Sequence, residues 1–215
     1  MASGKTAESR RPGRPPSGDT GSRRQDILKS AIDLFGAKGF EGVSLRQIAD
    51  QASADVGLTR YYFGSKEDLW KAAIAHLASQ LEAELIAVGD REFTSKTEMM
   101  KAVVRWFVDM SARRPQVSRI IAFDGNNDGM RGDYIAEKLV SPFYMVIGSL
   151  IEGARTEGTL IDMSPRTLFF MITHGGSFPM VLPVLTNRFP GGDIMESENL
   201  ERHADAMIKL IFREL

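Results

Sequence analysis

The chain has 215 residues, 43% of them apolar, enough for one large domain or two modest ones with a buried core. It contains no cysteine, which excludes disulfides, thiolate zinc sites and cysteine nucleophiles together. The net charge of -1 is uneven, since residues 1–22 carry four basic and two acidic groups, residues 23–75 eight and seven, and residues 76–215 fifteen and nineteen. Positive charge leans toward the N-terminal third, where a nucleic-acid face needs only local potential, although ordinary surface variation gives the same bias.

Residues 1–22 are rich in Gly, Pro, Ser and Arg and lack the apolar surface to fold alone, so a disordered basic arm is expected there. Within it lies Arg11-Pro12-Gly13-Arg14-Pro15-Pro16, whose Gly-Arg-Pro core resembles an AT-hook. Such a hook lays arginine into an A·T-rich minor groove, which makes Arg11 and Arg14 its candidate contacts. Six residues of this composition also arise in ordinary polar tails. No apolar run resembles a signal sequence, and no stretch approaches the ~18 uninterrupted apolar residues of a membrane span. A cytoplasmic protein without a membrane partner is the expectation.

From Arg23 the pattern turns helical: Ile27, Leu28, Ala31, Ile32 and Phe35 recur at three- and four-residue spacing, and Gly36 and Gly39 mark the exit. Ser44 with Gln47 makes a capping box, after which Leu45, Ile48, Ala49 and Ala52 form one apolar stripe. A turn at Ser53-Ala54 follows, and Asp55 caps a second short helix that ends at Gly64. The exposed face of that helix carries Arg60, Tyr61 and Tyr62, and such cationic and phenolic donors suit a phosphate-lined groove. Ser65 with Asp68 opens a long helix through Leu69, Leu77 and Leu85 to a stop near Gly89. Further helices are expected at about 95–113, 116–123, 133–156, 165–186 and 197–214, and no run alternates with period two. The chain reads as all-α.

With three helices ending in Tyr61-Tyr62-Phe63-Gly64-Ser65-Lys66-Glu67-Asp68-Leu69, the N-terminal unit resembles the TetR family of bacterial transcriptional regulators. Leu34-Phe35-Gly36-Ala37-Lys38-Gly39-Phe40 and the Ile48-Ala49 pair carry the same resemblance, over roughly residues 23–72. It implies a helix-turn-helix domain at 23–72, an effector-binding and dimerisation domain at 73–215, and a homodimer reading a near-palindromic operator in double-stranded DNA. Carried over by position, it implies DNA contacts from Ser44, Arg46, Thr59, Arg60, Tyr61, Tyr62 and Lys66, with Arg46 suited to bidentate bonding of guanine. The chain departs from the family at Ser53-Ala54-Asp55, where Gly-Val-Ser is usual, and at Arg60, where an aromatic is common. The resemblance also implies dimerisation through the last two helices, 165–186 and 197–214.

The C-terminal half is rich in aromatics and methionines at helical spacing, which pack as plain core or line an apolar ligand cavity between helices. Trp106, Met110, Phe123, Phe143, Phe170, His174 and Phe178 are the candidate pocket residues for a small-molecule effector. His174 is either the polar group that orients a ligand or a core histidine bonded to a neighbouring carbonyl. Pro179 and Pro183 should kink their helix, shaping the cavity or curving the helix round the core.

An enzyme is the main rival class. No Gly-x-Ser-x-Gly elbow, Walker loop, His-Glu-x-x-His helix or Gly-x-Gly-x-x-Gly turn occurs, and the three histidines are far apart, so neither catalysis nor a cofactor or metal is expected. A TetR-like fold acting only through protein–protein contacts is the second rival; it would have a recognition helix without cations or phenols. The reading that follows is an effector-responsive DNA-binding regulator, a repressor released from its operator.

Overall fold

Apolar residues spaced three and four apart, interrupted by Gly, Pro, Asn and Asp, give the chain twelve α-helices across residues 19–213, which the computed structural model describes. They are α1 (Asp19–Lys38), α2 (Leu45–Gln51), α3 (Val56–Phe63), α4 (Lys66–Gly89), α5 (Lys96–Arg113) and α6 (Gln116–Asp124), then α7 (Met130–Ile135), α8 (Ser141–Thr156), α9 (Pro165–Phe170), α10 (Gly176–Val181), α11 (Pro183–Thr186) and α12 (Ser197–Ile211). Among the described residues the β pairing is a single antiparallel bridge, Leu160 to Phe212. Helix α1 starts at Asp19, four residues ahead of the expected Arg23; Arg11 and Arg14 lie outside the described residues.

Both expected capping boxes form. The Ser44 Oγ accepts from the Gln47 N–H at 3.2 Å while Gln47 Oε1 accepts from the Ser44 N–H at 2.8 Å, and Ser65 and Asp68 repeat the exchange at 3.0 and 3.3 Å. Helix α2 closes with the Ala54 N–H donating to the Ala49 carbonyl and the Ser53 N–H to the Asp50 carbonyl, the Schellman pattern. That pattern needs a left-handed residue, usually glycine, and here Ser53 takes it at φ 50°. Arg23 donates to the Ser53 carbonyl at 3.2 Å, tying the turn to α1.

Two π-helical segments are the main departure from the expected helices. Ala136–Val140 joins α7 to α8 in one rod, and Met171–Gly175 joins α9 to α10. A π turn displaces the ladder locally. The Gly175 carbonyl has Pro179, which lacks an N–H, at the helical donor position four residues on, and it takes a hydrogen bond from His203 Nε2 of α12 at 3.0 Å instead. The expected helix 165–186 also breaks at Leu182 (φ -123°, ψ 55°), because the residue before a proline is driven out of the helical region. The rod Met130–Thr156 is long and apolar enough by composition to cross a membrane. It nevertheless carries Arg131, Asp133, Glu137, Lys138, Glu152 and Arg155, and its Ile147, Leu150, Ile151 and Ala154 are buried in the interior.

Two large apolar clusters hold the molecule together. The first gathers Ile27, Phe35, Ile48, Leu69, Trp70 and Ile74 from α1–α4 and continues without a break into Phe107, Met110, Ile120 and Ile135. The N-terminal unit is thus welded to the rest through α4, α5 and α6. The second packs Met100, Val103 and Val104 of α5 against Ile147, Ile151, Phe169, Ile172 and Ile211. At Gly36, where an added Cβ would stand 2.4 Å from Gln116 Cβ, α1 and α6 approach closely enough that only glycine fits.

Candidate nucleic-acid interface and the expected effector pocket

Helix α3 is short and is held down on one side. Thr59 is 0% exposed, and Phe63 is buried beside it. The opposite side presents Gly57, Arg60 and Tyr61 to solvent, with Tyr61 81% exposed. Tyr62 is half-buried, its ring 5.5 Å from that of Tyr61 and packed against the core. Arg46, near the start of α2, is exposed as well. Arg46, Arg60 and Tyr61 therefore protrude as the sequence predicts.

Thr59 is corrected. Its Oγ1 donates to the Asp55 carbonyl at 3.3 Å inside the helix, and its burial takes it off the outward face. On a two-turn helix, one step of the helical phase separates Thr59 from Arg60 by about a quarter turn, which is why adjacency in sequence misled. Ser44 is exposed, but its N–H and hydroxyl both donate to Gln47 Oε1, so a phosphate contact from it must exchange those bonds. Lys66 is half-buried, its ammonium 4.1 Å from the centre of the Phe40 ring.

The acid at the head of α3 has a local role. Asp55 accepts from the Gly57 N–H at 2.6 Å, directing its charge at the helix N-terminus, where the backbone dipole is positive. Sequence reasoning passed over Arg24, whose guanidinium lies 4.9 Å over the Phe63 ring at the end of α3. The available signal was an arginine pair directly ahead of the first apolar repeat.

The expected effector pocket divides in two. Trp106, Met110 and Phe143 point inward: Met110 is buried, Phe143 stacks on Phe107 at 5.4 Å, and Trp106 meets Phe143 at 5.9 Å. Phe123, Phe170 and Phe178 are 54%, 48% and 55% exposed, and His174 is exposed too, so these four do not line an interior pocket with the others. Phe170, His174 and Phe178 are spaced four apart and form an outer stripe, while Leu168, Phe169, Ile172 and Met180 of the same segment fill the interior. Phe123 lies over Gly39 at the end of α1. His174 is not a core histidine bonded to a carbonyl: it is exposed, with its ring 5.5 Å from Phe170 and its Nδ1 3.3 Å from the Thr173 hydroxyl. An open cleft of about 660 Å³ does occur beside Trp106, lined also by Val88, Arg91, Phe93 and Ala102 between the end of α4 and α5.

Where α4 meets α5, Glu84 receives hydrogen bonds from Trp106, Arg113 and Arg114. Burial alone would raise its carboxyl, but these donors hold it down at about 2. Farther along, the buried Asp124 at the end of α6 accepts from the Trp70 indole at 3.1 Å and from Arg131 Nε at 3.2 Å, and its burial pushes the carboxyl above the usual range despite both donors.

The fold and face together define a class, an all-helical protein with an N-terminal helix-turn-helix carried on a larger helical unit. Residues 27–73 match the bacterial regulatory proteins of the tetR family, and residues 97–211 match the tetracyclin repressor-like C-terminal domain. The chain belongs to the TetR family. It is 28% identical over 145 residues to the transcriptional repressor NicS of Pseudomonas putida, a match covering 65% of this chain and 66% of NicS, just under two thirds of that protein. To the transcriptional regulator RutR of Escherichia coli K12 it is 29% identical over 154 residues, 70% of each chain. Among solved structures, AibR in complex with isovaleryl coenzyme A and operator DNA shares the fold at a TM-score of 0.71 and 19% identity, covering 90% of this chain and all of AibR.

Proposed function

We propose that the protein is a homodimeric, sequence-specific DNA-binding regulator acting in the cytoplasm, a repressor released from a near-palindromic operator by a small-molecule effector. The observation that carries the reading is the exposure of Arg46, Arg60 and Tyr61 on a helix-turn-helix whose inner side is fixed by Ile48, Thr59 and Phe63. Arg46 and Arg60 read base edges; Tyr61, Ser44 and Lys66 meet phosphates or thymine methyls. Tyr62 steadies Tyr61 more than it reaches out. Arg11 and Arg14 of the arm follow the minor groove beside each half-site.

Dimerisation is supported by the outer stripe. Phe170, Phe178, Leu182, Val184, Leu185 and Phe189 are all exposed, a run of large apolar side chains that a two-fold partner would cover. Effector binding is assigned to the C-terminal unit, with the cleft beside Trp106 as its entry point. The first effector chemistry to screen is an acyl thioester of coenzyme A, the ligand class of AibR. An effector acts by binding one spacing of the two recognition helices better than the other, since equal affinity for both would shift nothing.

The test is operator affinity of Arg46→Ala and Lys66→Ala in the full-length protein. Arg46→Ala relaxes base preference at one position by ~1–3 kcal/mol, and Lys66→Ala weakens all sequences alike. Negligible effects from both reject the contact assignment.

A further inference from the structure

Phe40, in the turn between α1 and α2, has two cations on its ring: the Lys66 ammonium at 4.1 Å and the Arg131 guanidinium at 4.4 Å from its centre. The ring is fixed on its other sides by Phe35, stacked at 5.9 Å, and by the edge of Trp70 at 6.2 Å. The ring's negative face attracts cations, but two of them near one ring repel each other unless one is neutralised nearby. Arg131 is the neutralised one, with Nε 3.2 Å from the buried Asp124 and a terminal nitrogen 3.0 Å from Glu41. Among the described residues no carboxylate pairs with Lys66. The adjacent Gly132 packs so closely on the Asn127 backbone that an added Cβ would clash with the Asn127 carbonyl.

We propose that Arg131, which lies far outside the helix-turn-helix unit in sequence, is a positioning residue for DNA binding. Held by Asp124 and Glu41, it fixes the Phe40 ring on which Lys66 rests, and so presents the ammonium at the first turn of α4 to a backbone phosphate. The proposal rests on the DNA-binding reading above and deepens it. It makes the strength of one phosphate contact depend on α6 and α7, elements of the C-terminal unit, through the Asp124–Arg131 pair. The two cations have different parts: Arg131, tied to two carboxylates, stays with the protein, and Lys66, tied to none, is available to the nucleic acid.

The experiment measures affinity of the full-length protein for an operator duplex and for a scrambled duplex between 50 and 200 mM salt, comparing wild type, Lys66→Ala, Arg131→Gln and the double variant. Lys66→Ala should lose about five- to tenfold on both duplexes, with the salt slope falling by about one. Arg131→Gln should lose roughly three- to fivefold on both duplexes with a shallower slope, and should add less than about twofold in the Lys66→Ala background. A merely structural role would lower the melting temperature, leave the slope alone and multiply with the Lys66 loss. Should Arg131→Gln fail to fold, Phe40→Leu keeps apolar volume, removes the ring and carries the same cycle. Affinity within twofold of wild type for Arg131→Gln, or losses that multiply, overturns the proposal while the DNA-binding reading stands. Absence of DNA binding by the wild type, or indifference to Lys66→Ala and Arg46→Ala alike, defeats the underlying reading instead.

Discussion

In α2 Leu45, Ile48 and Ala49 occupy one stripe, Ser44 caps the start, and Arg46, Gln47 and Asp50 are left exposed on the other side. Along α9 to α11 Leu168, Phe169 and Ile172 turn inward while Phe170, Phe178 and Leu182 are equally apolar and turn outward. One-sided amphipathicity tells a helix which way to face. A helix apolar on both sides carries no such instruction, and its orientation is decided by what it packs against.

The largest expected effect separates the two faces of the same segment. Phe169→Ala should destabilise the fold by ~3–5 kcal/mol in denaturant unfolding, whereas Phe170→Ala should cost the monomer less than about 1 kcal/mol and weaken self-association in sedimentation. Equal destabilisation by both, with association unchanged, would return Phe170 to the interior and break the contrast.

Next is the joint between the regions. Because Glu84 is held down at about 2 from an ordinary 4.5, its contribution is fully present above pH about 4.5 and is lost as pH falls toward 2. The stability at stake is about 2–3 kcal/mol, and Glu84→Gln should flatten that part of the acid unfolding profile. A profile unchanged by the substitution would remove Glu84 as the clasp between α4 and α5.

Within the recognition helix, neighbours should part. Arg60→Ala should cost ~1–3 kcal/mol of base discrimination. Thr59→Val should leave base preference alone and cost about 1 kcal/mol of stability through its lost hydrogen bond to the Asp55 carbonyl. The reverse pattern in binding assays would restore Thr59 to the DNA face. Smallest of all, Ser53→Gly should stabilise the protein by about 0.5–1 kcal/mol, because glycine adopts φ 50° without strain. A loss of stability there would mean that the Arg23 clasp had already absorbed the cost.

The order of the helices and both capping boxes were legible because each depends on residues three or four apart, such as Ser44 with Gln47. The cap at Asp55 was legible for the same reason, and its carboxylate accepts from the Gly57 N–H two residues on. The π turns could not be foreseen, since Met171–Gly175 has an ordinary helical pattern; nor could the partner of the Gly175 carbonyl, which Pro179 leaves without a helical donor and which is satisfied by His203, 28 residues farther on. The pairing of Trp70 with Asp124 spans 54 residues, and that of Arg131 with Glu41 spans 90. Local spacing cannot register such partners; they follow from where α6 and α7 lie against α4.

The most direct test of the central claim is selection of bound duplexes from a random DNA library by the purified full-length protein at near-physiological salt. Enrichment of a near-palindrome with two half-sites about one helical turn apart is the predicted result, as a two-fold dimer presenting two α3 helices requires. Salt-sensitive bulk binding without enrichment, or no binding, would contradict it and leave the outward face of Arg46, Arg60 and Tyr61 without the assigned partner.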